Sequence, residues 1–370
     1  MATSRLLKLL CTVLAIRSTG ASITMSNDID AAKAVSSGWC EPFPVTWNRR
    51  DLILYALGIG ATELPLVYEN HEDFAPFPTY PIVLEFKGDS QDVVGFPSEA
   101  MAKATFPGQP QPAGAVLDGE RYLEVLTPLP QDSGVDMRLK VRMNSITDKG
   151  KYAVVERESV VFCAKTGKEF VRMFSSTIFV GVTGFQSAGE PFFKKISFPD
   201  RAPDATVEEK VSETQTQIYR LSGDYNPLHI CPDTAKAFGF PAPILHGLCT
   251  FGHSARHVIQ KFAGNDARRL RSVRVRFSKP VLPGQTLRTE MWRADDASRV
   301  VFRTVVKETG AVVMTNCEAT LQTADDSAAA PTSFQSEAVF QQMQARLTPT
   351  IMGKVQAVFR FVVKNGPVTR

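Results

Sequence analysis

Asp224 and His229 stand five residues apart in the stretch Tyr219-Arg-Leu-Ser-Gly-Asp-Tyr-Asn-Pro-Leu-His229. Pro227 lies between them and biases Asn226 away from the α region, so the segment is expected to turn rather than run as a helix. A turn can bring the two side chains over one cavity, where a carboxylate and an imidazole can hold and polarise a water. Asn226 shares the loop and is placed to help hold that water or the pair. A second stretch, Pro243-Ile-Leu-His-Gly-Leu-Cys-Thr-Phe-Gly252, puts Gly247 at the start of a long apolar segment. If that segment is a helix, its free N–H groups can receive a developing oxyanion. Two titratable groups beside an oxyanion donor suit chemistry on a carbonyl compound. An isolated Asp-x4-His is ordinarily a turn cap and a satisfied polar residue; here the second stretch accompanies it.

The elements around these residues follow from periodicity. A central helix is expected over 247–262, with Leu248, Phe251, Ala255, Val258, Ile259 and Phe262 on one face and Gly264 as its stop. Four strands follow at about 273–277, 286–292, 300–306 and 312–321, turned by Pro283-Gly284 and Thr309-Gly310. A helix through Tyr219 precedes the Asp-His turn, and a short helix after Pro232 follows it. A long helix wrapped by an antiparallel sheet is the hotdog arrangement. An earlier unit shows an amphipathic helix over Trp47–Gly58, an irregular stretch at 88–114, and strand runs at 121–126, 137–143, 152–163 and 169–182. Leu54-Tyr-Ala-Leu-Gly-Ile-Gly60 lines up with Ile218-Tyr-Arg-Leu-Ser-Gly-Asp224, and Lys165-Thr-Gly167 with Glu308-Thr-Gly310. The two units therefore read as an old duplication. In it Gly60 falls where Asp224 falls, and the first unit lacks both the chemical pair and a clear counterpart of the central helix. Residues 184–210 read as the linker, with the second unit opening near Val211.

The chain has 370 residues, enough for two domains or one large double domain. Hydrophobic residues make up 44% and charged residues 22%, a soluble globular balance, and the net charge is only +4. Nothing there points to a nucleic-acid partner. The longest apolar run near the N-terminus, Leu6–Ile16, is too short to span a membrane. The six cysteines form no CxxC, as expected of free thiols in a reducing compartment. His253 and His257 have metal-ligand spacing at i, i+4, but HExxH is absent and no third ligand is evident. They are expected to be a solvent-facing pair, with no metal site.

Taken together, the two chemistry-bearing stretches resemble the hydratase 2 motif of the MaoC-like dehydratases. The chain is similar over about residues 45–322 to the (R)-specific enoyl-CoA hydratase 2 part of peroxisomal multifunctional enzymes. The resemblance implies an α+β double hotdog, two hotdog units each an antiparallel sheet with a helix. It implies residues 40–185 as a non-catalytic unit shaping the acyl site and 205–325 as the unit carrying the motif. It gives catalytic roles to Asp224, His229, Asn226 and Gly247, with Gly247 N–H on the thioester oxygen. Tyr225, Asn226 and Gly247 join the substrate-binding set. So do Asp118 and Gly119, in Leu117-Asp-Gly-Glu-Arg-Tyr-Leu123, where the family often has His in place of Asp118. Asp148-Lys-Gly150 resembles a turn whose lysine contacts coenzyme A, pointing to Lys149. Arg276-Phe-Ser-Lys-Pro280 points to Phe277 as a ligand-lining aromatic. The basic run Arg268, Arg269, Arg271, Arg274 and Arg276 is either a solvated strand face or a cradle for coenzyme A phosphates.

The implied reaction hydrates a trans-2-enoyl-CoA thioester to the (3R)-3-hydroxyacyl product in fatty-acid β-oxidation. It needs no cofactor, coenzyme A being part of the substrate. A hotdog thioesterase and a non-catalytic lipid-binding module remain as alternatives. Residues 1–30 are a possible targeting extension. Arg5-Leu-Leu-Lys-Leu-Leu-Cys-Thr-Val13 is similar to an amino-terminal peroxisomal signal, but Thr12 stands where His or Gln is wanted; a signal peptide, a mitochondrial transit peptide and a true start at Met25 are the other readings. Residues 332–370 resemble the opening of a sterol-carrier-type lipid-binding domain cut short. A homodimer is expected, as is a place in a longer multidomain polypeptide.

Overall fold

The computed structural model describes residues 29–322, apart from Asp295 and Ala297. The expectations for 1–28 and for the sterol-carrier-like segment at 332–370 lie outside the described residues.

Eleven strands form one antiparallel sheet. They are β1 (Phe43–Pro44), β2 (Val116–Val125), β3 (Met137–Asp148), β4 (Tyr152–Cys163), β5 (Glu169–Val180), β6 (Ala188–Gly189), β7 (Ala205–Lys210), β8 (Leu270–Phe277), β9 (Thr286–Arg293), β10 (Arg299–Val306) and β11 (Ala311–Leu321). The order is β1-β3-β4-β5-β2-β8-β11-β10-β9-β7, with β6 on β3. Read from either end toward the β2–β8 junction, the two runs of strands match: β1 with β7, β3 with β9, β4 with β10, β5 with β11, β2 with β8. That is the topology of a double hotdog. The Lys165-Thr-Gly167 turn joins β4 to β5 and the Glu308-Thr-Gly310 turn joins β10 to β11, equivalent places in the two halves.

Two helices that pack on one another through Ile59 and Gly252 matter for the site. The first, α1 (Arg49–Gly58), begins at a capping box in which Asn48 Oδ1 accepts the Asp51 N–H and Asp51 Oδ2 accepts the Asn48 N–H. The second, α2 (Gly247–Phe262), is the long central helix, with the boundaries that the apolar run and Gly264 dictate. It packs on β8, β9, β10 and β11. Its burial differs from the expected single apolar face: every residue from Leu248 through Ile259 is buried. The sheet covers one side and the end of α1 covers the other. The approach is so close that a Cβ on Gly252 would overlap the Ile59 side chain. Fully burying a side chain such as Phe251 contributes about 1.5–3 kcal/mol, so the enclosed helix anchors whatever is attached to its start.

Two further readings need correction. The expected linker at 184–210 ends in a strand, β7, which pairs with β9 from Ala205↔Met291 to Lys210↔Thr286. Its half-buried alternation and three charges, Glu208, Glu209 and Lys210, are those of an edge strand, which periodicity alone did not raise above a linker. The helix Ala31–Ser36 lies on β3, with Ala31 and Ala34 buried, so the first folded half starts before residue 40.

The β2–β8 junction gives a test of the two-unit reading. β8 pairs with β2 from Glu120↔Arg276 to Glu124↔Ser272. Residues 205–325 produced alone would leave that edge unpaired, and an open apolar-backed edge associates with other chains. The fragment is expected to self-associate or precipitate in size-exclusion chromatography. A stable monomer with full activity would sink the double-hotdog dependence.

Candidate active site

The Asp-His loop is built by local hydrogen bonds. The short helix Gln215–Tyr219 runs into a 3-10 turn at Arg220–Ser222, and Gly223, at φ 144, reverses the chain. The Asn226 N–H donates to Asp224 Oδ1 at 3.2 Å. Asn226 Oδ1 in turn accepts the Leu228 N–H at 3.0 Å and caps a 3-10 turn, Pro227–His229. Pro227 thus does as expected: the loop turns and carries His229 back beside Asp224. One ligand-type atom from each of Asp224, His229 and His246 lies within 4.8 Å of the others.

The pair is buried, not exposed on a loop surface. Asp224 and His229 are each only 8% accessible. Burial pushes the Asp224 carboxyl above the ordinary aspartate range, against His229, the Asn226 N–H and the Arg121 guanidinium. Burial likewise pushes His229 below the ordinary imidazole range, against the Asp224 charge and the Ile244 carbonyl. The tautomer of His229 follows from its partner. Its Nδ1 lies 2.8 Å from the Ile244 carbonyl, which can only accept, so Nδ1 carries the hydrogen and Nε2 is left with a free lone pair.

Gly247 is the first residue of α2. Among the described residues no acceptor meets the Gly247 or Leu248 N–H, whereas Cys249 and Thr250 already donate to the His246 carbonyl. A Cβ on Gly247 would stand 3.1 Å from the Phe277 ring, which places Phe277, at the end of β8, directly against the helix start. Tyr225 is half-buried, donates to the Leu221 carbonyl and carries the Arg220 guanidinium over its ring.

Asp118 and Gly119 come from the other half. β2 is irregular between Asp118 and Glu120, so Gly119 forms a bulge against the Ser176 carbonyl. Arg121 Nε binds both oxygens of Asp118 at 2.9 and 3.0 Å, and its guanidinium lies 3.9 Å from Glu85. Burial raises the Asp118 carboxyl and Arg121 opposes it, while about a third of the side chain (32%) still meets solvent. Lys149 sits apart, exposed in the turn between β3 and β4. Register places that turn at the same end of the sheet as Val116. With strands about 4.8 Å apart, its neighbour Asp148 is some 14 Å from β2 across three strand steps.

Two residues escaped the sequence reading. Arg121 had no assigned role, yet it acts electrostatically on Asp224 from the opposite half. His246 was read only as part of the motif; its ring stacks on His229 with centroids 3.7 Å apart. The spacing signal for either is weak, because both contacts are long-range.

His253 and His257 overturn the expectation of a solvent-facing pair. They are 1% and 0% accessible, and Glu209 from β7 is the third group beside them. His257 Nε2–H donates to Glu209 at 2.7 Å, and Arg256 also pairs with that carboxylate while reaching the Ile59 carbonyl. Burial works to raise the Glu209 carboxyl, but His253, His257 and Arg256 outweigh it and hold it far below the usual range. The cluster is an ion-pair network joining α2 to β7 and to the residues after α1. The basic run is also largely spoken for: Arg268 pairs with Asp73 and Asp266, Arg271 with Glu124, Arg274 with Glu120, and Arg269 donates to the Gln322 carbonyl. A cleft of 170 Å³ lined by Glu63, Asp73, Asn265 and Arg268 touches none of the residues around Asp224.

Comparison with known proteins places this geometry. Residues 45–181 match the MFE-2 hydratase 2 N-terminal domain and residues 194–317 the MaoC like domain. A probable enoyl-CoA hydratase 2 of Dictyostelium discoideum is 35% identical, with 78% of this chain and 95% of that protein aligned. The chain belongs to the MaoC-like hydratase 2 family. A peroxisomal multifunctional enzyme type 2 of Mus musculus is 37% identical over 91% of this chain. The chain spans about half the length (46%) of that relative. The crystal structure of a MaoC-like dehydratase from Phytophthora capsici superposes with a TM-score of 0.76 at 39% identity, covering 80% of this chain and 99% of that one. Among the described residues no helix is long and apolar enough to cross a membrane.

Proposed function

We propose that the protein hydrates trans-2-enoyl-CoA thioesters to (3R)-3-hydroxyacyl-CoA in fatty-acid β-oxidation. One observation supports this reading: the buried Asp224–His229 pair lies against His246, the residue immediately before Gly247, whose N–H has no acceptor among the described residues. Water held between Asp224 and His229 gives its oxygen to C3, while Nε2 takes one of its protons. The C2=C3 electron pair moves toward the thioester, and the charge that develops on its oxygen is met by the Gly247 N–H. The proton then passes to C2, so H and OH of one water are both added and no cofactor is consumed. The R configuration comes with the family and not from the spacing.

The other residues take supporting roles. Asn226 holds the Asp224 carboxylate through its N–H. Phe277, Tyr225, Asp118 and Gly119 line the approach of the thioester, and Lys149 reaches coenzyme A further along the same end of the sheet. Residues 40–185, which supply no acid–base pair, shape the acyl site. A peroxisomal location, supported by the names of the relatives, and a homodimer within a longer multidomain polypeptide complete the proposal.

The test mixes purified protein with crotonyl- or decenoyl-CoA. Loss of enoyl-thioester absorbance without free thiol is expected. Thiol release would point to a thioesterase instead, and neither signal to a module that only binds. The acid limb of kcat/KM should lie below pH 6.5, because buried His229 must stay neutral to accept a proton and its burial favours the neutral form. An acid limb above that value would argue against His229 as the base.

A further inference from the structure

We propose that His246 is a positioning residue that locks the Asp224–His229 pair in register with the start of α2. The inference rests on the hydratase reading above and adds a residue to it.

His246 touches every part of the machinery. Its Nε2 lies 3.2 Å from the Asp224 carbonyl, an acceptor, so Nε2 carries the hydrogen. Its ring stacks on His229 at 3.7 Å and 26°. Its own carbonyl accepts the Cys249 and Thr250 N–H groups at 3.1 and 3.2 Å, which makes it the residue from which α2 begins. One side chain and its backbone therefore join the acid, the base and the oxyanion donor, three groups that otherwise belong to two separate stretches of chain.

The chemistry requires this ring to be neutral. Nδ1 is buried without a hydrogen-bond partner among the described residues, so a proton there would find no acceptor. The ring is 1% accessible, and it faces His229, the Tyr219 ring and the field of Arg220; the Asp224 carbonyl and the nearby Asp224 carboxyl favour its cation, and burial outweighs them. Burial first, and then His229, push it well below the ordinary imidazole range. His229 can thus become charged during turnover against a flat, uncharged neighbour. A second cation in the stack would oppose that step.

Two variants separate the two contacts. His246→Phe keeps a flat ring against His229 and loses the donor to Asp224. Its kcat should fall about 10–10²-fold, part of the ~10²–10⁴-fold owed to positioned acid–base groups, with KM changed little. His246→Gln keeps an N–H near the Asp224 carbonyl and loses the ring. It should stay within about tenfold of the parent in kcat, but the acid limb of kcat/KM should move up, because His229 regains solvation. A folded His246→Phe with parental kcat would overturn the proposal. If that variant does not fold, His246→Gln decides, and an unmoved His229 titration overturns it. The titration is read by NMR of the imidazole C–H signals, which needs no turnover. A parent protein inactive on both thioesters would sink the hydratase reading, while the same NMR shift would still decide the role of His246.

Discussion

Asp224→Asn should lower kcat by roughly 10²–10⁴-fold, the contribution of a positioned acid–base group, while the protein stays folded. Asn has the shape of Asp, and its Oδ1 still accepts the Asn226 N–H that now closes the loop at 3.2 Å. What it loses is the charge proposed to polarise the water and to support His229 as it takes a proton. His229→Gln should cost a similar factor, since Gln offers no lone pair of imidazole basicity at the Nε2 position. The two losses should not multiply. If both groups act on one water, as proposed, the double variant should be little worse than either single one. Steady-state kinetics on crotonyl-CoA, with circular dichroism to check folding, decides the matter. A folded Asp224→Asn with near-parental kcat would remove Asp224 from the mechanism. A double variant whose loss equals the product of the single losses would mean that the two residues act on separate steps.

The Asp-His loop was legible because it is local. Asp224, Asn226, Pro227 and His229 shape one another over six residues, and a turn fixed by Pro227 and an Asn cap reads directly from sequence. The boundaries of α2 were equally legible, since an apolar run and Gly264 define both ends. What stayed hidden depends on partners distant in the chain. The tautomer of His229 is set by Ile244, fifteen residues on. The Arg121–Asp118 ion pair reaches the Asp224 neighbourhood from the other half of the sheet. The i, i+4 histidines looked solvent-facing because a helix pattern shows which residues share a face and not what covers it. β7 and the end of α1 cover that face here, and Glu209 supplies the charge that makes burial of His257 tolerable. The duplication followed the same division. Turn residues such as Lys165-Thr-Gly167 marked it locally, whereas the matched strand order about the β2–β8 junction is a property of pairing alone.

Gly247→Val carries the other large expected loss, because two effects converge on one position. Removal or misplacement of an oxyanion donor typically costs about 10²–10³-fold in turnover. Among the described residues the Gly247 N–H has no partner at the helix start, and the helix behind it is buried from Leu248 through Ile259, so the N–H is held in place before any substrate arrives. A Cβ at this position would stand 3.1 Å from two Phe277 ring carbons and 3.4 Å from a third. That is tighter than ordinary contact, and the branched methyl groups of Val extend it further. The Phe277 ring must then move toward the space proposed for the thioester, or the helix start must shift and carry the N–H with it. Either way the reacting carbonyl loses its site. The coenzyme A moiety, proposed to be held by Lys149 some strands away, should bind almost as before. The expected result is therefore a kcat/KM on crotonyl-CoA reduced by at least about 10²-fold, with the inhibition constant of free coenzyme A little changed. Gly247→Ala, which keeps the N–H and adds one methyl group, should fall between the parent and the Val variant. Retained turnover with lost coenzyme A affinity would instead place the phosphates at the helix start, and the assignment of Gly247 to the thioester oxygen would fail.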